Sequence, residues 1–237
     1  MNILALDTSA KVVSVCVMRD GIVLAEQTEN KGLTHSETLM PMVERTLEGA
    51  GCTLKQIDAF AAAAGPGSFT GLRIGVATVN ALAHACGKRV IPVNTLKALA
   101  VNVMHSEGRI AAIMDARRHQ VYAAVYTCDG KALCEALSPR AIAVSELCEE
   151  LKRDASPVLF VGDGVAVSRD AISEQLGDAA RFAFGHVCLQ HASSVALCAW
   201  QMLNGGYEGV DRIEPEYLRL SQAERERDER LKREAQA

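Results

Sequence analysis

The amino-acid sequence predicts an α/β protein made of two copies of one structural unit. β-rich segments joined by Asp20-Gly21 in the first half recur in the second half around Asp129-Gly130. Asp115 follows Asp7 by 108 residues and Asp129 follows Asp20 by 109, which indicates a repeat of about that length. After each hairpin, helical and strand patterns alternate, as in a mixed sheet flanked by helices.

The first half begins with three predicted strands. Their β-branched and apolar residues favour extended structure, and an Asp-Gly pair readily adopts the positive φ angles of a two-residue hairpin turn. These strands cover residues 3–6, 12–18 and 22–25.

A helix is predicted next, from Thr34 onward. Thr34 and Glu37 have the spacing of a capping box, and Leu39, Val43 and Leu47 follow at helical spacing. Pro41 lacks a backbone donor, so we expect a kink or a late start of this helix.

A buried strand at residues 59–64, a glycine-rich loop, a helix with one apolar face and a strand at 90–93 complete the first half. The second half repeats the strands at 110–114 and 120–127. It continues with a helix at 145–151, a strand at 158–161 and a helix at 194–203 that stops at Gly205-Gly206.

The repeat predicts two domains and a tail. The division is expected near residues 105–108, with a first domain over 1–106, a second over 107–220 and a charged tail over 221–237.

Composition excludes several classes of protein. Hydrophobic residues make up 49% of the chain, the formal net charge is −4 and aromatic residues are only 4%, which suits a packed core but not unaided binding of nucleic acid. Neither a signal peptide nor a membrane span is predicted. The eight cysteines form no C-x-x-C pair, which is typical of buried thiols in a reducing cytoplasm, where we expect this protein.

The glycine-rich loop at residues 65–75 has two interpretations. Backbone N–H groups before a helix could bind an anion. Alternatively, Pro66-Gly67 forms a tight turn, Ser68 or Thr70 caps the helix, and Gly71 and Gly75 allow close packing of another helix. The spacing matches neither G-x-G-x-x-G nor a P-loop, which favours the second interpretation.

Asp7 and Asp115 are candidate nucleotide-binding residues, because each ends the first strand of its repeat. Turn formation is the alternative, and the absence of a glycine after Asp115 weakens the nucleotide interpretation. Arg117 and Arg118 could bind an anion or simply cover the hairpin. No two of the six histidines have the i, i+4 spacing of a helical metal site, and no G-x-S-x-G motif is present.

Six segments occur in an order that resembles a known family. They are LALDTS, HSETLMP, GPGSFTGLRIG, VIPVNTL, MDARRHQVY and PEYLR, and together they span nearly the whole chain. The sequence thereby resembles the bacterial TsaB (YeaZ) family of tRNA threonylcarbamoyladenosine biosynthesis proteins.

The resemblance implies the duplicated, RNase H-like fold of actin, Hsp70 and the sugar kinases. It also implies a paralogous partner, TsaD, which transfers threonylcarbamoyl from threonylcarbamoyl-AMP to N6 of the adenosine adjacent to the anticodon. TsaD carries H-x-x-x-H, two metal-binding imidazoles, where this chain has Thr95 and Leu99. Neither side chain can replace an imidazole ligand, so the resemblance implies a non-catalytic subunit without a metal.

The resemblance further implies that helices of the first domain bind TsaD, and that the ATPase TsaE joins the complex. The expected contact surface comprises His35, Ser36, Leu39, Met42, Gly71, Ile74, Gly75, Val76 and Ala77. Without its partner, the same surface is expected to form a homodimer. Contact with tRNA is expected only through the complex, and ATP or ADP at the partner interface is a further expectation.

Three alternatives remain open on the residues alone. An ATP-dependent phosphotransferase or chaperone-type ATPase would use Asp7 and Asp115. A metallopeptidase would need metal ligands that no pattern supplies. An interaction module with another partner needs only the fold.

Overall fold

The computed structural model describes residues 1–32 and 34–219, so the predicted charged tail at 221–237 lies outside the described residues. Two five-stranded mixed sheets form its frame, and both have the same topology. The first sheet has the order β3-β2-β1-β4-β5. Its strands are β1 (Asn2–Asp7), β2 (Val13–Arg19), β3 (Ile22–Glu29), β4 (Ala59–Gly65) and β5 (Val90–Asn94).

The second sheet has the equivalent order β8-β7-β6-β9-β10. Its strands are β6 (Gly108–Asp115), β7 (Gln120–Cys128), β8 (Leu133–Ala143), β9 (Val158–Val161) and β10 (Ala180–Phe182). In each sheet the first three strands are antiparallel and the last two add in parallel. The predicted duplication and the α/β class are therefore confirmed.

Seven helices connect and cover the two sheets in the described part of the chain. They are α1 (His35–Gly49), α2 (Phe69–Cys86), α3 (Thr95–Val101), α4 (Val144–Leu151), α5 (Gly164–Leu176), α6 (Gly185–Cys188) and α7 (Ala192–Asn204). The sequence patterns did not predict α3, α5, α6 or β10.

Both faces of β1 are buried, which explains its continuous apolar sequence. Leu4 and Leu6 pack against α1 and α2 on one face. Ile3 and Ala5 pack against α7 on the opposite face. Helix α3 lies between the two units, with Ala98 in the core of the first and the adjacent Leu99 in the core of the second.

The capping box predicted for α1 is wrong, and so is the late start, which was one of the two expected effects of Pro41. Thr34 occupies the N-cap position, but its side chain makes no capping hydrogen bond, so the capping box does not form. The helix starts at His35 and continues through Pro41 to Gly49, so there is no late start. The turn between β2 and β3 agrees with prediction, since Asp20 and Gly21 have φ angles of 49° and 82°.

Part of the predicted second domain, 107–220, packs on the first unit. Helix α7 packs on the first sheet, where Ala196 and Ala199 are fully buried beside Ile3 and Cys16. The segment after it stays with the first unit, because Val210 forms a bridge with Val90. A repeat in sequence therefore does not correspond to two consecutive structural domains.

Side chains of the first sheet bind the amino terminus of α7. The Ser14 hydroxyl accepts a hydrogen bond from the Ala192 N–H at 2.9 Å, and Glu26 Oε1 accepts one from the Ser193 N–H at 2.8 Å. Negative charge is favourable at a helix amino terminus. Glu26 also raises the pKa of His191, which precedes the helix. These contacts hold α7 on the first unit.

Candidate functional site

A cavity of about 350 Å³, lined largely by polar and charged side chains, lies between the two units. One wall is the loop after β1, including Ser9 and Lys11, together with the glycine-rich loop at residues 67–69. The facing wall is the β6–β7 turn, which contains Arg117 and Arg118. The cavity therefore lies where both copies of the repeat present the end of their first strand.

Asp7 does not line this cavity. Its carboxylate is 1% exposed and accepts hydrogen bonds from the Ser9 N–H at 2.9 Å and the Ser9 hydroxyl at 2.6 Å. Burial raises the pKa of Asp7 to about 6, while the bonds from Ser9 act in the opposite direction. The geometry gives Asp7 the role of ordering a turn, which was the alternative to nucleotide binding.

This raised pKa makes a measurable prediction. The folded protein binds the Asp7 proton more tightly than the unfolded chain, so the stabilising contribution is complete below about pH 4 and is lost as the pH rises through about 6. Asp7→Asn removes this titration. The quantity to follow is the free energy of unfolding of the wild type minus that of Asp7→Asn. We expect this difference to decrease by about 2 to 3 kcal/mol between pH 4 and pH 7. Urea denaturation of both proteins at several pH values measures it, and a constant difference would contradict the burial of this carboxylate.

Asp115 lines the cavity but is already paired. Its Oδ1 accepts a hydrogen bond from the Arg117 N–H at 2.7 Å, and its Oδ2 lies 3.1 Å from Arg117 Nη1. A third carboxylate, Asp163, also lines the cavity and accepts a hydrogen bond from Gln190 Nε2 at 3.2 Å. Burial raises the pKa of Asp163. The sequence did not single out Asp163, although it lies two residues after the predicted strand that ends at Val161.

The glycine-rich loop packs against its own chain. Ser68 caps α2 by accepting a hydrogen bond from the Gly71 N–H at 3.3 Å, and its own N–H donates to the Ser9 carbonyl at 2.7 Å. A Cβ on Gly71 would lie 2.0 Å from the Thr8 carbonyl oxygen, and one on Gly75 would lie 2.2 Å from Thr8 Oγ1. These glycines therefore allow α2 to approach the loop after β1, not another helix.

Thr95 and Leu99 lie in the first and second turns of α3 and are 0% and 2% exposed. Leu99 packs in the core of the second unit, and its Cδ1 lies 3.2 Å from the place that a Cβ on Gly162 would take. Thr95 Oγ1 has no hydrogen-bond partner among the residues that the structure describes. Across residues 1–32 and 34–219, no group of three or more His, Cys, Asp or Glu side chains is arranged to hold a metal ion.

Five residues of the predicted partner surface are buried in the chain's own core, so this part of the prediction is corrected. Every third or fourth residue of α1 and α2 faces the first sheet, and these positions include the large apolar side chains. The buried residues are Leu39, Met42, Gly71, Gly75 and Val76.

The outward side of the same two helices is available for contact. Ser36 and Ala77 are exposed, and Ile74 is half-buried. His35 is also half-buried, and its Nε2 lies 2.8 Å from the Ala10 carbonyl oxygen. Met40, which the sequence reasoning missed, is 41% exposed. We call Ser36, Met40, Arg73, Ile74 and Ala77 the α1–α2 face.

A segment near the end of the described chain borders both the cavity and the α1–α2 face. The rings of Tyr217 and Phe69 stack with centroids 4.4 Å apart, and Arg73 Nε donates to the Tyr217 hydroxyl at 3.0 Å. Arg219 Nη1 then donates to the Ala116 carbonyl at 2.6 Å in the second unit. The segment therefore connects the two units along the side of the cavity.

Two mixed sheets of the same topology, with a cleft between them, define the actin, Hsp70 and sugar-kinase class of fold. Two solved structures from Pseudomonas aeruginosa share it. One is described as an uncharacterized protein with similarity to peptidase YeaZ, with a TM-score of 0.75 and 30% identity over 92% of this chain and 99% of that one. The other is YeaZ, with a TM-score of 0.75, 29% identity and the same coverage. The described part of the chain contains no helix long and apolar enough to span a membrane.

Relatives found by sequence identify the family more narrowly than the shared fold does. The model of the family described as "TsaD: tRNA N6-adenosine threonylcarbamoyltransferase" matches residues 23–227. The tRNA threonylcarbamoyladenosine biosynthesis protein TsaB of Bacillus subtilis is 32% identical over 94% of this chain and 96% of its own. TsaB of Escherichia coli is 34% identical, over 92% and 95%. The chain belongs to this family of tRNA threonylcarbamoyladenosine biosynthesis proteins, on its TsaB (YeaZ) branch, which confirms the resemblance carried by the six segments.

Proposed function

We propose that this chain is the non-catalytic, activating subunit of a complex with TsaD and TsaE. The complex transfers threonylcarbamoyl from threonylcarbamoyl-AMP to N6 of the adenosine adjacent to the anticodon in tRNA. In this proposal TsaD performs the transfer, and the present chain stabilises the active structure of TsaD. In this proposal the chain acts in the cytoplasm. It meets tRNA only as a member of the complex.

The environment of Thr95 and Leu99 carries the proposal. By the resemblance, these residues occupy the positions of the two metal-binding imidazoles of TsaD, and both side chains are buried. Leu99 has no atom that can ligate a metal, and a single Thr95 hydroxyl does not replace a pair of imidazoles. The two carboxylates that could instead serve a nucleotide are engaged, Asp7 by Ser9 and Asp115 by Arg117. This arrangement favours a scaffold that lacks catalytic groups of its own.

The α1–α2 face is the proposed contact with TsaD. Met40 and Ile74 offer apolar area, the small Ala77 allows close approach of another helix, and Arg73 supplies a hydrogen-bonding rim. In the absence of TsaD, the same face would pair with a second copy of this chain. The proposal also includes ATP or ADP bound between the two subunits. Such a site would be complete only when the partner is present.

Reconstitution of threonylcarbamoyl transfer tests this function. TsaD, TsaE, tRNA and threonylcarbamoyl-AMP are combined with and without the present chain, and modified adenosine is quantified. We expect the chain to increase the yield strongly and to produce none when TsaD is omitted. Equal yields with and without the chain would refute an activating role.

A further inference from the structure

Four cationic side chains gather at the mouth of the cleft in a chain whose formal net charge is −4. They are Lys11, Arg117, Arg118 and Arg219, which we call the basic rim. Among the residues that the structure describes, two acidic side chains, Asp115 and Asp163, line the same cavity. The rim is therefore a local positive region on an otherwise acidic protein.

Two of these cations form no direct polar contact within the described residues, although the charge of Lys11 acts on the nearby Asp163. Lys11 and Arg118 are exposed, and neither forms an ion pair or hydrogen bond with any residue in 1–32 or 34–219. Arg117 pairs with Asp115, but its side chain remains 75% exposed. Arg219 uses Nη1 to bind the Ala116 carbonyl and has further donors on the same guanidinium. The rim can therefore bind an anion without breaking an internal ion pair of Lys11 or Arg118.

The backbone of the β6–β7 turn holds two of the arginines outward. Arg117 and Arg118 have φ angles of 64° and 55°, and His119 follows at 59°. Three successive left-handed residues without a glycine are unfavourable, and such conformations persist only where the surrounding structure imposes them. Here these backbone conformations place the consecutive side chains of Arg117 and Arg118 at the tip of the β6–β7 turn.

The position of the carboxylates indicates what kind of anion fits. Asp115 and Asp163 line the cavity and are half-buried, and their charges would repel a polyphosphate placed between them. Lys11, Arg117 and Arg118 line the same cavity and are more exposed than these carboxylates. This order suits an extended polyanion that crosses the mouth of the cleft and leaves the interior empty of phosphate.

We propose that the basic rim binds the phosphodiester backbone of the tRNA held by the complex, so that this chain contacts the substrate directly. The proposal rests on the proposed function, because the tRNA is brought to the chain by the complex. Contacts of this kind position a nucleic acid without reading its sequence. The low aromatic content agrees with such a role, since no stacking of bases is required.

The test compares two double variants of the chain, each assembled with TsaD and TsaE. Lys11→Gln with Arg118→Gln removes the two unpaired rim cations. The control, Lys55→Gln with Lys131→Gln, removes two exposed lysines from the opposite ends of the sheets. Fluorescence anisotropy measures the Kd for labelled tRNA at several salt concentrations. We expect the rim variant to raise the Kd roughly tenfold and to reduce the slope of log K against log salt by roughly 2, with the control near wild type.

Three other outcomes overturn the inference. The rim variant could bind tRNA with the wild-type Kd and salt slope. Both double variants could weaken binding equally, which would indicate the overall charge of the chain. The rim variant could lose affinity for ADP, measured by calorimetry on the isolated chain, while its tRNA binding is unchanged, which would assign the rim to a small phosphate ligand. A failure of the proposed function is distinct, because the unsubstituted chain would then neither assemble with TsaD nor stimulate transfer.

Discussion

Ala77→Arg is expected to weaken the association of the chain with TsaD by roughly 1000-fold, or about 4 kcal/mol. Ala77 is exposed in the middle of α2, so the isolated chain accommodates the longer side chain in solvent. In the complex, a guanidinium would be forced into a face otherwise formed by Met40 and Ile74 and would lose its hydration without a partner. Calorimetric titration of TsaD with each variant measures the change.

Ala171→Arg provides the matched control for this experiment. Ala171 is likewise an exposed alanine within a helix, α5, but it belongs to the second unit, away from the α1–α2 face. Both variants should unfold at the wild-type urea concentration, and only Ala77→Arg should lose TsaD. If the two bind TsaD equally well, the partner surface lies elsewhere. Gly75→Arg is not a useful variant for this test, because the Cβ of any new side chain at position 75 would collide with Thr8.

Gly71→Ala is expected to destabilise the folded chain by about 4 kcal/mol. The added methyl group would lie 2.0 Å from the Thr8 carbonyl oxygen, so either α2 or the loop after β1 must move. The Thr8 hydroxyl also donates to the Gly71 carbonyl at 2.7 Å, which links the same two segments. Urea denaturation at pH 7 measures the loss.

Gly49→Ala is the corresponding control, with an effect of opposite sign. Gly49 is the last residue of α1, and its new methyl group would lie 3.6 Å from Ala25 Cβ, an ordinary contact. Alanine has the higher helix propensity, so this variant should be stabilised by about 0.5 kcal/mol. Equal effects of the two substitutions would refute close packing between α2 and the loop after β1.

The local elements of this fold could be predicted from sequence because their causes are local. Apolar and β-branched residues mark the first strands of each repeat, and the left-handed turn at Asp20-Gly21 requires residues that tolerate positive φ. Helix α3 was missed because its seven residues, 95–101, directly follow β5 and are buried nearly all round, so no polar face marks them.

The return of α7 to the first sheet could not be predicted. It depends on contacts such as Ser14 with Ala192, which are 178 residues apart, and no local pattern encodes that distance. The partner surface was predicted incorrectly in part for a related reason. Leu39 and Met42 are apolar residues on a helix, and sequence alone does not tell an apolar stripe that faces the core from one that faces a second protein.

The candidate site was predictable in position but not in chemistry. The ends of β1 and β6 were predicted as candidate positions, yet the carboxylates there are engaged by residues of their own turns. Asp7 is engaged by Ser9 inside its own turn, and Asp115 is paired with Arg117 two residues away. Short-range hydrogen bonds of this kind convert residues that could contact a ligand into residues that order the turns.

The central claim is that this chain activates its partner without contributing a catalytic group. The most direct measurement is threonylcarbamoyl transfer by the complete complex containing the chain with both Asp7→Asn and Asp115→Asn. These are the two carboxylates that the fold would offer to a nucleotide. The account predicts the wild-type rate once equal assembly with TsaD has been verified. A rate reduced a hundredfold or more in a fully assembled complex would show that the chain takes part in the chemistry and would contradict the account.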